Sequence, residues 1–257
     1  MDYWKSGQND QQRIPALVST MCAEPAWSPI EPGQIGKLTD TTIFRLSIRE
    51  NEPHLSAAEK QLTNEEYVRA YRFRQHGDRS RFILARSTLR KILGLYTGIE
   101  PTGVPLVYNS FGKPILQKDI ANQLHFNISH SEDYVLIAFS KDTIGVDIEH
   151  LVAAFPYEEL ITEVFSPAEI DHIKQSARPD TSFYLYWTRK EAFLKNIGRG
   201  LSFPIKAIPV LNGSHPITFH VPSSYETLSF YCTDDYIGSI CRKLSPPSPI
   251  YFHHLKL

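Results

Sequence analysis

The chain has 257 residues, with 27 Lys and Arg against 28 Asp and Glu, and a formal net charge of −1. Hydrophobic residues make up 42% and charged residues 21%, a balance that excludes a disordered chain, a collagen and a coiled coil. The length allows one large domain or two smaller ones that each bury a core. The near-neutral total speaks against a protein that coats nucleic acid along its whole surface.

The predicted elements, in chain order, mix helices and strands in both halves. Residues 1–38 are rich in Gln, Pro, Ser and Gly and indicate an extended strap or a partly disordered lead-in. In residues 39–150 we expect strands at 41–48, 106–108, 125–130, 134–139 and 144–149, and helices at 55–62, 63–73 and 78–95. In residues 151–257 we expect helices at 157–164 and 181–196, a helix start at 166–169, strands at 217–221, 227–232 and 236–241, and a Pro-rich exit. This order predicts an α+β fold in which each half has an antiparallel sheet and packed helices.

Cysteine usage and apolar runs indicate the compartment. Cys22, Cys232 and Cys241 form neither a CxxC pair nor a Cys/His cluster at metal-ligand spacing, which predicts a reducing compartment. The first residues lack the apolar segment of a signal peptide, and the longest apolar run, at 135–139, is far too short to span a bilayer. We therefore expect a cytoplasmic protein with no membrane association.

A pair of carboxylates lies in the strand predicted at 144–149. Asp147 and Glu149 are two residues apart, so both side chains point to the same side of the strand. Two carboxylates held side by side repel each other unless a cation or a proton lies between them, and Mg²⁺ prefers such an oxygen-only site. A strand with one exposed charged face gives the same pattern, and an isolated DxE favours that simpler interpretation.

A helix face forms the second candidate. Trp187, Glu191 and Lys195 are spaced four apart and therefore share one side of the helix predicted at 181–196. An ordinary Glu/Lys pair on an exposed helix explains two of the three. The Trp one turn earlier argues against full exposure, and Gly198 and Gly200 permit close approach of a backbone or a ligand.

The third candidate is the basic segment 69–91, which holds seven Arg and one Lys against one Asp. Its net charge is +7, so the rest of the chain carries −8. Arg79, Arg86 and Arg90 share one side of the predicted helix, and arginine suits bidentate contacts to phosphate. A solvated helix face and a nucleic-acid-binding helix are the alternatives.

Five blocks follow one another along the chain: FGKP at 111–114, FNISHS at 126–131, IGVDIE at 144–149, FSPAE at 165–169 and WTRKEAFLK at 187–195 followed by Gly198 and Gly200. In this order they resemble the Sfp-type 4′-phosphopantetheinyl transferases, and the resemblance spans roughly residues 40–240. The resemblance implies two similar halves with the active site in the cleft between them. It also implies Mg²⁺-dependent transfer of the phosphopantetheine arm of coenzyme A to a serine of an apo acyl or peptidyl carrier protein, releasing adenosine 3′,5′-bisphosphate. Mn²⁺ is the alternative metal, and a monomer without nucleic-acid partners is expected.

The resemblance also implies residue roles. Asp147, Glu149 and Glu191 would hold the metal, and Glu191 would also, or instead, accept the serine proton. Lys195 would stabilise the pyrophosphate or the departing phosphate. Lys113, Ser129 and His130 match positions that hold the adenosine 3′-phosphate end of coenzyme A, with Arg69 and Arg86 as further candidates.

The sequence departs from the family pattern at one position, and it is also compatible with two other functions. Some family members carry a phosphate-binding Lys ahead of the position of Arg69, where this chain has Glu66. A metal-dependent coenzyme A or nucleotide pyrophosphatase could use the same acids and arginines with water as the nucleophile. A basic module that binds RNA or acidic proteins through 69–91 would be the non-enzymatic alternative.

Overall fold

The part of the chain described by the computed structural model comprises residues 15–21, 24–36, 38, 40–121, 124–200, 203–246 and 248–257. Residues 1–14, which begin the predicted lead-in, and Cys22 lie outside the described residues. Within the described ranges, no helix is long and apolar enough to cross a membrane.

Two five-stranded sheets organise the fold. In spatial order, the N-terminal sheet contains β2 (Ser28–Ile30), β12 (Ile250–Leu255), β3 (Thr41–Ser47), β7 (Tyr134–Ser140) and β6 (His125–Ser131). The C-terminal sheet contains β8 (Ile144–His150), β11 (Tyr236–Lys243), β10 (Tyr225–Thr233), β1 (Ala16–Met21) and β9 (Gly213–Pro216). A separate hairpin is formed by β4 (Leu106–Tyr108) and β5 (Pro114–Leu116). Strands β6 and β8 are therefore both edge strands, one of each sheet.

Capping residues in the sequence mark the ends of several helices. The first half contains α1 (Ile48–Asn51), α2 (Leu55–Glu59), α3 (Asn64–Ala70), α4 (His76–Thr97) and α5 (Lys118–Ala121). The second half contains α6 (Glu158–Val164), α7 (Pro167–Gln175) and α8 (Pro179–Ile197). Both α3 and α7 begin with a capping box, at Thr63 and Ser166. The two longest helices end at glycines in the left-handed region, Gly98 and Gly198, as is common at helix C-termini.

The predicted α+β class is confirmed, but the expectation of antiparallel sheets is corrected. Strand β1 runs parallel to β10, and β12 runs parallel to both β2 and β3. Strands β1 and β12 lie near the chain ends, and no short turn joins either of them to the strands it pairs with in parallel. Their direction is therefore not fixed by a short turn, and both sheets are mixed.

Each sheet also contains strands from more than one of the predicted segments. The proposed division into 1–38, 39–150 and 151–257 stays a prediction, and the sheets do not follow it strictly. Strand β1 of the first segment and β8 of the second lie in the C-terminal sheet, whereas β12 of the third lies in the N-terminal sheet. The strand predicted at 217–221 is wrong: these residues belong to no strand, although Ile217 and Val221 are buried in a cluster with Phe193 of α8.

A shared core holds the two sheets together. Ile43, Leu136 and Ala138 of the N-terminal sheet belong to one buried cluster with Val146, Ile148 and Phe230 of the C-terminal sheet. Each of these side chains is at most 1% exposed. Full burial of a large apolar side chain contributes about 1.5–3 kcal/mol, so this cluster stabilises the arrangement of the two sheets.

Candidate functional site

The edge strands β6 and β8 are joined by side chains at the boundary between the sheets. Alternate residues of β6 face β8, because side chains two apart in a strand share a side. The contacts are Val146 N donating to Asn127 Oδ1 at 2.8 Å, Ser129 Oγ donating to Asp147 Oδ1 at 2.8 Å, and Ser131 Oγ donating to Glu149 Oε2 at 3.1 Å. These hydrogen bonds place both β8 carboxylates at the boundary between the halves.

Helix α8 lies beside the same carboxylates and closes a cleft of about 400 Å³. Trp187, Glu191 and Lys195 all line it, as their spacing predicts. The remaining wall residues all precede residue 150, include residues of β6 and β8 from the two sheets, and are Arg69, Phe82, Ala85, Arg86, Tyr108, Gly112, Pro114, Ile128, Ser129, His130, Asp147 and Glu149. The predicted acids and the helix face therefore form one site.

A cluster of three polar groups lies at the base of the cleft. Lys195 Nζ is 2.6 Å from Asp147 Oδ1 and donates to Ser129 Oγ at 2.9 Å. The Asp147 side chain is 5% exposed, whereas that of Lys195 is 29% exposed and reaches the solvent side of the cleft. Asp147 is thus held from two directions, and the ammonium group faces any ligand that enters.

The other two carboxyl groups are biased towards their neutral forms. Burial, with a smaller contribution from the Asp147 carboxylate, raises the pKa of Glu149 to about 7. The same two causes raise the pKa of Glu191. Hydrogen bonds from Ser131 and Trp187 oppose the effect on Glu149. Both groups would be stabilised as carboxylates by a nearby cation.

The chemistry of this donor set fits Mg²⁺. Asp147 Oδ2 and Glu191 Oε1 are buried and lack a hydrogen-bond partner. Among the described residues no three His, Cys, Asp or Glu side chains converge as a complete metal site. Mg²⁺ does not need one, because it commonly binds one or two carboxylates and completes its octahedron with waters and phosphate oxygens. Two orphaned carboxyl oxygens beside an open cleft match that requirement.

The basic segment divides into cleft residues and buried residues. Arg69 and Arg86 line the cleft. Arg90 is instead buried, and it donates to both Glu66 carboxyl oxygens at 2.6 and 3.0 Å and to two backbone carbonyls. Arg86 Nε also lies 3.5 Å from Glu66 Oε1, and its Nη1 is buried without a partner. The alternative of a solvated face is therefore wrong for Arg86 and Arg90, and Glu66 explains why they are tolerated in the interior.

His130 and Lys113, the residues that the family resemblance implies as binders of the 3′-phosphate, lie in different environments. His130 is a solvent-accessible residue of the cleft wall, and partial desolvation of its imidazole by the surrounding protein, together with the charges of Arg81 and Lys195, lowers its pKa. Lys113 does not line the main cleft, and its ammonium donates to the carbonyls of Ile144 and Lys195. Burial lowers the pKa of Lys113 to about 8, to which the neighbouring Lys195 also contributes.

Two basic residues of the 187–195 block are structural. Arg189 and Lys190 are fully buried. Lys190 Nζ lies 3.0 Å from Glu169 Oε2 and donates to Ile205 O and Ile208 O. Arg189 donates to three oxygens, including Val210 O at 2.7 Å. These contacts hold the 205–212 loop against α8 and fix the helix face that carries Glu191.

Several cleft residues were missed by sequence reasoning. Phe82, Tyr108 and Ile128 contribute apolar wall, and Asn127 and Ser131 orient β8 from the neighbouring strand. For Asn127 and Ser131 a signal existed, since they alternate with Ser129 in the quoted FNISHS block. Nothing in the local pattern distinguishes Tyr108 from any other aromatic residue of a short strand.

Two family models together cover most of the chain. A model described as the 4′-phosphopantetheinyl transferase superfamily matches residues 143–241, and one described as 4′-phosphopantetheinyl transferase, N-terminal, matches residues 49–142. The matches meet immediately before β8, the edge strand of the C-terminal sheet that carries Asp147 and Glu149.

Individual relatives carry the same description. The 4′-phosphopantetheinyl transferase HetI of Nostoc sp. is 30% identical over 234 residues, which cover 89% of this chain and 98% of that protein. The 4′-phosphopantetheinyl transferase Sfp of Bacillus subtilis is 28% identical over 183 residues, covering 70% of this chain and 78% of that protein. A phosphopantetheinyl transferase of Thraustochytrium sp. is 31% identical over 159 residues, 56% of this chain and 55% of that protein.

Proposed function

This chain belongs to the 4′-phosphopantetheinyl transferase family, and we propose that the cleft between β8 and α8 is where it transfers the phosphopantetheine arm of coenzyme A to a carrier-protein serine. The family uses coenzyme A and acts on carrier proteins. The observation that carries the assignment of the cleft is the convergence of Asp147, Glu149, Glu191 and Lys195 from two elements on one side of it. The roles below are proposals for these residues.

The nucleotide end of coenzyme A is assigned to the basic wall. Arg69, Arg86 and His130 line the cleft on the N-terminal half, and Arg86 has a buried Nη1 with no partner. Arginine binds phosphate through two parallel hydrogen bonds, which suits a ligand with three phosphate groups. Ser129 contributes to binding of the nucleotide end only indirectly, because its hydroxyl donates a hydrogen bond to Asp147.

Asp147, Glu149 and Glu191 are the residues that would hold Mg²⁺, or Mn²⁺ in its place. The support is the pair of orphaned oxygens on Asp147 and Glu191 and the raised pKa values of Glu149 and Glu191. A bound cation would neutralise negative charge on the pyrophosphate oxygens.

The reaction is a displacement at the β-phosphorus of coenzyme A. A bond forms from the serine oxygen to this phosphorus, the phosphorus–oxygen bond to the nucleotide breaks, and adenosine 3′,5′-bisphosphate leaves. Glu191 accepts the serine proton, because it is the acid of the three that makes no hydrogen bond within the described part of the chain and has a raised pKa. Lys195 donates to the phosphate oxygens on which negative charge accumulates.

A mass measurement tests this function against the hydrolytic alternative. The protein is incubated with coenzyme A, Mg²⁺ and a panel of apo acyl and peptidyl carrier proteins, and intact carrier masses are recorded. We expect a gain of one phosphopantetheine group on the serine of at least one carrier. Coenzyme A cleavage without any gain on a carrier would identify a pyrophosphatase instead.

The cellular setting is proposed from the sequence. We propose a monomer that works in the cytoplasm on apo acyl or peptidyl carriers of fatty-acid, polyketide or nonribosomal-peptide synthesis. We propose that it has no nucleic-acid partner; in support, Arg69 and Arg86 line the cleft and Arg90 is paired with Glu66, so these three do not lie on an outer basic face.

A further inference from the structure

Lys113 lies at the end of a rigid turn between β4 and β5. Asn109 Oδ1 accepts from Lys113 N at 2.9 Å, and Asn109 N donates to Lys113 O at 3.0 Å. Gly112 supplies the left-handed residue of the turn, with φ of +77°. The backbone of Lys113 is therefore fixed, and its side chain extends from a defined point.

The side chain crosses from the N-terminal half to β8 and α8. Lys113 Nζ donates to Ile144 O at 3.1 Å and to Lys195 O at 2.6 Å. Ile144 is the first residue of β8, and Lys195 lies in the last turn of α8. One ammonium group thus ties together the two elements that carry Asp147 and Lys195.

The carbonyl of Lys195 needs such a donor. Within a regular helix it would accept from the amide of Arg199, but that amide donates to Leu194 O at 3.3 Å because the helix ends at Gly198. Carbonyls in the last turn of a helix have no intrahelical partner, and a cation there also interacts favourably with the helix dipole. Lys113 supplies both the donor and the charge from the other half.

We propose that Lys113 is a positioning residue that caps the C-terminus of α8 and holds Lys195 against Asp147, rather than a ligand of the adenosine 3′-phosphate. The proposal rests on the proposed function for its catalytic consequence, but the cap itself is a property of the free protein. It replaces the role that the resemblance implies for this lysine. The ammonium is engaged with Ile144 O and Lys195 O, and Lys113 does not line the cleft wall that carries His130, although it lines an adjoining cavity with Glu191 and Lys195.

The capping role and the phosphate-binding role predict different effects of the donor's 3′-phosphate on the kinetics of a Lys113 variant. The test compares wild type and Lys113→Met with coenzyme A and with 3′-dephospho-coenzyme A as donors, under saturating carrier protein. Loss of the cap should lower kcat about 10- to 100-fold with both donors, because small displacements of a catalytic group are costly. The ratio of kcat/KM for the two donors should stay that of wild type. His130→Ala is the comparator, in which that ratio should fall.

Hydrogen exchange provides a readout that does not depend on catalysis. In the free protein, Lys113→Met should speed exchange at the amides of Gly198 and Arg199, which bond to Leu194 O in the last turn. Lys118→Met, an exposed lysine on α5, is the control and should change neither readout. Lys113→Arg keeps donors at the position, and it is measured in the same way so that a poorly folded Met variant does not decide the question.

Three results would overturn the proposal. One is a fall in kcat/KM with coenzyme A but not with 3′-dephospho-coenzyme A, in Lys113→Met or Lys113→Arg, while kcat and hydrogen exchange stay unchanged. Another is an unaltered kcat with both donors. The last is unaltered exchange in the final turn of α8. Failure of wild type to modify any carrier would count against the proposed function, whereas the exchange comparison would still test the cap.

Discussion

Gly145 of β8 lies directly against the backbone of Ala192 on α8: a β-carbon built on Gly145 would be 2.0 Å from Ala192 O and 2.4 Å from Asn196 N. A separation this short has no room for any side chain. The strand that carries Asp147 and Glu149 can therefore approach the helix that carries Glu191 and Lys195 only because position 145 is glycine.

Gly145→Ala should damage both the fold and the site. The obstructing atoms belong to the backbone of α8 and cannot rotate away, so strand and helix must separate. We expect a loss of about 3 kcal/mol or more in the free energy of unfolding, the upper range for overpacking, measured by urea denaturation. Gly77→Ala is the control, since nothing lies within 4 Å of its added carbon and Ala is the better helix former. Equal stability of Gly145→Ala and Gly77→Ala would contradict the packing argument.

Glu66→Gln should be strongly destabilising although the change is isosteric. Glu66 is 6% exposed and lies against two buried arginines, Arg86 and Arg90. Removal of its charge leaves those guanidinium groups uncompensated, a change that costs about 3–5 kcal/mol in buried pairs. Glu65→Gln on the exposed neighbour is the matched control. A Glu66→Gln variant as stable as Glu65→Gln would show that Arg86 and Arg90 do not depend on this carboxylate.

The stability of the free protein should fall as pH rises through the range set by Glu149. Its pKa is raised from 4.5 to about 7, so between these values the folded state binds more protons than the unfolded state. The contribution is complete below about pH 4.5 and lost above about pH 7, and it is on the order of 3 kcal/mol. Urea unfolding across this range measures it, with Glu149→Gln as the variant that should lose this part of the slope. Added Mg²⁺ should also flatten the slope, and a wild-type slope that Glu149→Gln leaves unaltered would contradict the assignment.

His130→Ala should weaken donor binding more than chemistry. The side chain lies on the cleft wall, apart from the hydrogen bonds that join Ser129, Asp147 and Lys195. Loss of a contact made equally in the ground and transition states raises KM and leaves kcat nearly unchanged. Steady-state kinetics with coenzyme A measures this. An equal fall of kcat and kcat/KM would instead place His130 at the reacting centre.

The sequence predicts the parts of the site that depend on local periodicity. Strand spacing placed Asp147 and Glu149 on one side, and helix spacing placed Trp187, Glu191 and Lys195 on one face, and all five line the cleft. The capping boxes of α3 and α7 were likewise legible, because each is set by residues three apart.

Long-range contacts are the part that local patterns do not reveal. The parallel pairing of β12 with β3 joins residues about 200 positions apart, and no turn between them signals it. Arg86 and Arg90 appear as part of a basic face until Glu66, on another helix, is placed beside them. Lys113 likewise resembles a surface lysine in a turn until its contact with Lys195 O is known.

Replacement of Asp147 shows whether the carboxylates of β8 and α8 form the reacting centre. Transfer of phosphopantetheine to an apo carrier is measured by mass for wild type, Asp147→Asn, Asp147→Ala and the exposed control Asp142→Ala, and coenzyme A binding is measured separately by calorimetry. If the carboxylates of β8 and α8 form the reacting centre, both Asp147 variants lose transfer by at least about 100-fold and still bind coenzyme A, while Asp142→Ala transfers like wild type. Full transfer by a folded Asp147→Ala variant would contradict the account.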